Sequence, residues 1–136
     1  MTEAVLDASV VVKWFRTEGE RNVEAARSLR ADFEAGKLAV FAPRLLHLEI
    51  VNVAARRWHW RRTALLELAD ALNALAFELR EPELYDIAEW TARGLTAYDA
   101  SYVALAQSGG MKLITDDRVI LAAAPGAALT LSAIGE

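Results

Sequence analysis

Acidic side chains stand at four places from which they could act together. Asp7 closes a short apolar run, Ala4-Val5-Leu6. Glu49 interrupts a longer one, Leu45-Leu46-His47-Leu48-Glu49-Ile50-Val51. Asp99 falls three residues after Thr96, and Asp116-Asp117 follow Lys112-Leu113-Ile114-Thr115. Carboxylates gathered in one place resist ionisation, since two like charges about 5 Å apart cost roughly 3 kcal/mol at an effective dielectric of 20. A hard dication relieves that repulsion, and Mg²⁺ and Mn²⁺ favour oxygen ligands. One or two such ions can activate a water, neutralise the non-bridging oxygens of a phosphodiester and stabilise the leaving oxygen.

Each acid also has a purely structural explanation. Asp7 stands between a strand and a helix, where an N-cap belongs. Thr96-Ala97-Tyr98-Asp99 has the form of a capping box. Asp116 could cap a helix that begins near Arg118. Glu49 shares a polar stripe with Asn52 and Arg56, at i, i+3 and i+7, and that stripe could simply face water. The joint occurrence of all four positions favours a shared site.

The elements that must position them alternate along the chain. Apolar runs at 4–6, 38–41, 77–79, 112–114 and 128–131 read as strands. Helical periodicity covers 8–15, 21–35, 44–57, 63–76, 83–93, 97–107 and 118–123, with Gly36, Gly94 and Gly109-Gly110 as stops. Strands separated by helices pair in parallel through right-handed crossovers. The expected fold is therefore α/β, a three-layer α/β/α sandwich around a mostly parallel five-stranded sheet, in one domain spanning 1–136. Ligands of such folds bind at the carboxyl ends of the strands, where strand order reverses. If the first and fourth strands are neighbours, Asp7 and the Thr115-Asp116-Asp117 segment meet there.

Composition sets the outer limits. The chain has 136 residues, 54% of them hydrophobic and 25% charged, enough for one packed core. It has no cysteine, which excludes disulfides and thiolate metal sites and makes the cytoplasm the expected compartment. Met1-Thr2-Glu3 does not open like a signal peptide. The longest apolar stretch, Val119 to Leu129, is broken by Pro125 and Gly126, short of the ~20 residues a membrane span needs. The net charge is −4, yet setting Asp7, Glu49, Asp99 and Asp117 aside leaves fifteen acidic against fifteen basic residues. The excess acidity can thus lie in one site.

Several segments resemble the PIN-domain family, in the family's order and over nearly the whole chain. Val5-Leu6-Asp7-Ala8-Ser9 is similar to its opening motif. Pro43 to Leu46 with Glu49 and Asn52 is similar to the second. Leu95 to Ala106, containing Tyr98-Asp99-Ala100-Ser101-Tyr102, resembles the third most closely, and Leu113-Ile114-Thr115-Asp116-Asp117 resembles the fourth, a Thr-x-Asp element. Length and the third motif point to the VapC toxin branch. The resemblance implies an Mg²⁺- or Mn²⁺-dependent endoribonuclease toxin, acting on transfer RNA or another structured RNA. It further implies a homodimer, held inactive in a larger hetero-oligomer by a cognate VapB-type antitoxin. By the same resemblance Asp7 and Asp99 are the principal metal ligands. Glu49 and Asp117 complete the cluster, and Ser9, Asn52 and Thr115 support it. Asp117 fits Thr-x-Asp, which leaves Asp116 as the helix cap.

Other features carry less. Arg56-Arg57-Trp58-His59-Trp60-Arg61-Arg62 could grip RNA, but a helix end with packed tryptophans, or a protein interface, explains it more simply. Trp14, Phe15 and Arg16 suggest a docking groove. His47 and His59 lack zinc-site spacing, and Lys13 and Lys112 read as solvated charges. A haloacid dehalogenase-type phosphatase would need Asp-x-Asp after the first strand, where this chain has Asp7-Ala8-Ser9. A phosphoaspartate receiver would need an acidic pair there. A non-catalytic binding module would not need all four acids.

Overall fold

A computed structural model describes residues 1–133. Five strands, β1 (Thr2–Leu6), β2 (Leu38–Ala42), β3 (Glu78–Leu79), β4 (Lys112–Thr115) and β5 (Ala128–Thr130), form one sheet in the order β3-β2-β1-β4-β5. Every pairing is parallel. The helices are α1 (Ala8–Val11), α2 (Val23–Glu34), α3 (Leu45–Arg56), α4 (Arg62–Ala74), α5 (Leu84–Ala92), α6 (Ala97–Ser108) and α7 (Arg118–Ala123). The architecture is the expected α/β sandwich, with the sheet parallel throughout its described strands.

β1 runs through the centre. A strand covered on both faces needs a continuous apolar run rather than alternation, and Ala4, Val5 and Leu6 are all buried. The chain builds outward from β1 through β2 to β3, then returns to add β4 on the other side. Leu6 pairs with Ile114, so β1 and β4 end side by side. The order of strands reverses there, and the crevice beyond their carboxyl ends is the expected ligand position.

α3 and α6 carry the remaining acids to that crevice. α3 turns Leu46, Ile50 and Ala54 into the core, which leaves Glu49 at the rim of its buried stripe. α6 is buried from Ala100 to Ala106, without the usual polar face. Its small residues let it lie against β1 and β4. Gly94, at φ +107, reverses the chain between α5 and α6, where a side chain would strain the backbone.

The helix expected over 8–15 divides into α1 and a 3₁₀ turn at Val12–Trp14. Three successive valines, 10 to 12, are stiff at χ1 and crowd an α-helical turn. The tighter turn places Trp14 inside, 8% exposed, with its ring 5.8 Å from both Phe33 and Phe77. Its indole N–H donates to the Ala26 carbonyl at 2.9 Å. Trp14 is therefore core, not the wall of a docking groove. Trp58 and Trp60 lean on each other at 5.1 Å and pack, partly buried, against the core, while Arg56, Arg57, Arg61 and Arg62 are exposed beside them.

Candidate active site

Asp7 occupies the N-cap position of α1, and its carbonyl accepts from Val10 N and Val11 N. Its side chain does no capping. Instead one carboxylate oxygen accepts the Ser9 hydroxyl at 2.6 Å and the other accepts the Thr115 hydroxyl. Those hydroxyls in turn accept backbone N–H bonds, Ser9 from Asp116 at 2.9 Å and Thr115 from Asp117 at 3.0 Å. The ends of β1 and β4 are thus laced together through Asp7, a residue only 4% exposed. Burial pushes its carboxyl up to about 7, against the pull of the two hydroxyls and with the added push of Asp117 and Glu49.

Glu49 accepts a short hydrogen bond from the Tyr102 hydroxyl. Burial raises the Glu49 carboxyl, and the charges of Asp99 and Asp117 add to the shift. Tyr102 is held well above the usual phenol range, first by burial and then by Glu49, so it stays a donor. Thr96 caps α6 by accepting from the Asp99 N–H at 3.1 Å. Asp99 is raised by burial and then by Asp117. The charge of Asp117 is therefore felt by the other three acids.

Asp117, not Asp116, caps α7. Its Oδ1 accepts from Val119 N at 2.8 Å and Ile120 N at 3.2 Å. The cap directly precedes the first helical residue, Arg118, so the expected assignment of Asp116 to that task is corrected. Asp116 turns the other way and meets Lys13 at 3.3 Å and the Asn22 amide at 3.1 Å.

One pocket of about 70 Å³ is lined by Asp7, Ser9, Glu49, Asp99, Tyr102 and Asp117. About 10–15 Å³ of such space holds a water, so the pocket has room for an ion and several waters. Asn52 is exposed and lies outside it, beside Leu45, Leu48 and Tyr98 in a neighbouring recess that shares Glu49. A larger cavity, about 520 Å³ near Trp90 and Lys112, has no acidic residue in its lining among the described residues.

The PIN-domain model matches residues 4–125. This chain belongs to the PIN-domain family. A relative from Pyrobaculum aerophilum, named exonuclease VapC9, is 37% identical over 90 residues, 61% of this chain and 68% of that protein. A crystal structure from the same organism is 26% identical with a TM-score of 0.70, covering 97% of this PIN chain and 91% of that one. A chain of a toxin–antitoxin complex from Klebsiella pneumoniae shares the fold at 21% identity and a TM-score of 0.56, covering 94% of this chain and 97% of its own.

PIN nucleases generally use divalent metal ions, and the residues of this PIN domain fit one. The donors are all oxygen, which suits a hard cation. No Lys, Arg or His among the described residues pairs with any of the four acids. Three of them resist ionisation, first through burial and then through the charges of the neighbouring acids. The side chains share the pocket without being drawn into a gripping set of three, among the described residues.

Two residues escaped the sequence. Tyr102 lies three positions after Asp99 and so shares its face of α6, a signal that could have found it. Lys13 was expected to be solvated but is 5% exposed, bound to Glu20 at 3.0 Å as well as to Asp116. A lysine beside three valines gives no hint of buried partners so distant in sequence.

Proposed function

We propose that this chain is the toxin of a VapBC-type toxin–antitoxin pair, a divalent-metal-dependent endoribonuclease. The observation that carries the reading is the convergence of Asp7, Glu49, Asp99 and Asp117, from four segments, on one pocket without a cationic partner among the described residues. Asp7 and Asp99 would hold Mg²⁺ or Mn²⁺, with Glu49 and Asp117 completing the set directly or through water. The bound ion would supply an activated water and neutralise the charge that builds on the phosphate.

The other residues orient this set. Ser9 and Thr115 fix the plane of the Asp7 carboxylate from both sides. Tyr102 holds Glu49, and the first N–H groups of α7 hold Asp117. The scissile phosphate would meet the acids in this pocket. Transfer RNA or another structured RNA is the substrate class that the VapC resemblance favours. The same resemblance supports a homodimer, assembled with a VapB-type antitoxin into a larger inactive complex in the cytoplasm. Among the described residues no helix is long and apolar enough to cross a membrane.

A second reading, exonuclease, is favoured by the name of the Pyrobaculum relative. Closed circular RNA separates the two. The endonuclease linearises the circle in Mn²⁺, stops in EDTA, and is inactive as folded Asp99→Asn. An exonuclease spares the circle and shortens linear RNA from an end. Failure to cut either RNA in Mn²⁺ would overturn both readings.

A further inference from the structure

On the far side of Ser9 from the acidic pocket lies a second recess, lined in part by Lys13, Glu20, Arg57 and Asp116. Lys13 is the buried group there. Its ammonium donates to Glu20 Oε1 at 3.0 Å and lies 3.3 Å from Asp116 Oδ2. The other Asp116 oxygen accepts from the Asn22 amide at 3.1 Å. Asn22 holds a left-handed backbone, φ 56, just before α2. Glu20 has a second cation, Arg57, at 3.3 Å. Asp116 is thus gripped at both oxygens, while its own N–H donates to Ser9 and so joins the lacing around Asp7.

Burying an ammonium is costly and adds little to stability by itself. Here it has a consequence for the neighbouring residue. Asp116 and Asp117 are adjacent at the end of β4, and both carry a carboxylate that could suit a dication. Only Asp117 lines the acidic pocket.

We propose that Lys13 is a positioning residue whose ammonium holds the Asp116 carboxylate out of the acidic pocket, leaving that place to Asp117. The proposal rests on the metal-site reading above and extends it to which aspartate serves. Without Lys13 only the Asn22 amide retains the Asp116 carboxylate, which could then turn toward a bound dication, drag the β4–α7 turn with it and displace Asp117.

The test measures Mn²⁺ affinity by electron paramagnetic resonance, and RNA cleavage, on purified full-length protein whose fold is checked by circular dichroism. Lys13→Met weakens Mn²⁺ binding and cleavage by about 10- to 100-fold, since a small misplacement of a site group by a change elsewhere can cost that much. Adding Asp116→Asn to Lys13→Met removes the stray carboxylate and restores both, because Glu20 still has Arg57. A purely structural lysine would lower the urea midpoint of Lys13→Met and leave the Mn²⁺ affinity of the folded variant unchanged. Wild-type values in folded Lys13→Met, or a folded double variant as poor as the single one, would overturn the proposal. Should Lys13→Met fail to fold, Asp116→Asn alone decides. Unchanged Mn²⁺ affinity supports an aspartate kept outside the site, and a tenfold loss overturns it. Wild-type protein that binds no Mn²⁺ would overturn this proposal together with the metal site itself, a result distinct from the others.

Discussion

Asp7 concentrates the physical tension of the site. Its carboxyl is pushed up from 3.8 to about 7, chiefly by burial. Below pH 4 the folded and unfolded chains both keep that proton, and no penalty arises. As pH rises from about 4 to about 7 the unfolded chain ionises first, so folding loses stability. Above about 7 the full loss, roughly 4 kcal/mol in metal-free protein, is in place. Urea melts in EDTA across pH 4 to 8 should show that decline. Asp7→Asn should flatten it, leave the protein no less stable at pH 8, and abolish metal-dependent cleavage. Thr115 tests the support around Asp7. Thr115→Val leaves Asp7 Oδ2 and the Asp117 N–H without their partner, and should cost about 1–3 kcal/mol in urea melts. Cleavage by the folded variant should fall about 10- to 100-fold. Wild-type activity in Thr115→Val would mean that the hydroxyl orients nothing.

At the scale of elements, α3 and α6 deliver side chains by burying what lies beside them. Ile50 is wholly buried next to Glu49. Ile50→Ala should lower stability by about 2–5 kcal/mol, while leaving cleavage near wild type well below the melting temperature. A large loss of cleavage in folded Ile50→Ala would show that Glu49 depends on that packing more than on Tyr102. Most elements were legible in the sequence, because the apolar periods of 2 and 3.6 and the glycine stops are local signals. Pairing is not local. The run at 112–114 reads as a strand, but only the fold shows that β4 lies against β1. The same limit hid the partners of Lys13, seven and 103 positions away. The cap falls to Asp117 rather than Asp116, because sequence does not fix the first residue of a short helix, and Asp117 serves cap and pocket together. The third motif located Asp99 correctly yet gave no sign that Tyr102 reaches Glu49 on another helix.

At the scale of the whole molecule, the proposed function requires an acidic protein to handle a polyanion. Its net charge of −4 equals the four carboxylates of one pocket, and the remaining charges balance. On that proposal a bound dication would remove part of the field that repels RNA, at the point where the phosphate would approach. The same ion should stabilise the fold, since it binds the native cluster and not the unfolded chain. Saturating Mn²⁺ should raise the melting temperature of the wild type at pH 8, and raise that of Asp99→Asn far less. The most direct test is an anomalous difference map from crystals grown with Mn²⁺. A strong peak is expected in the pocket within bonding reach of Asp7 and Asp99, with Glu49 and Asp117 bound directly or through water. A map from Mn²⁺-saturated crystals with no peak among those four side chains would contradict the account.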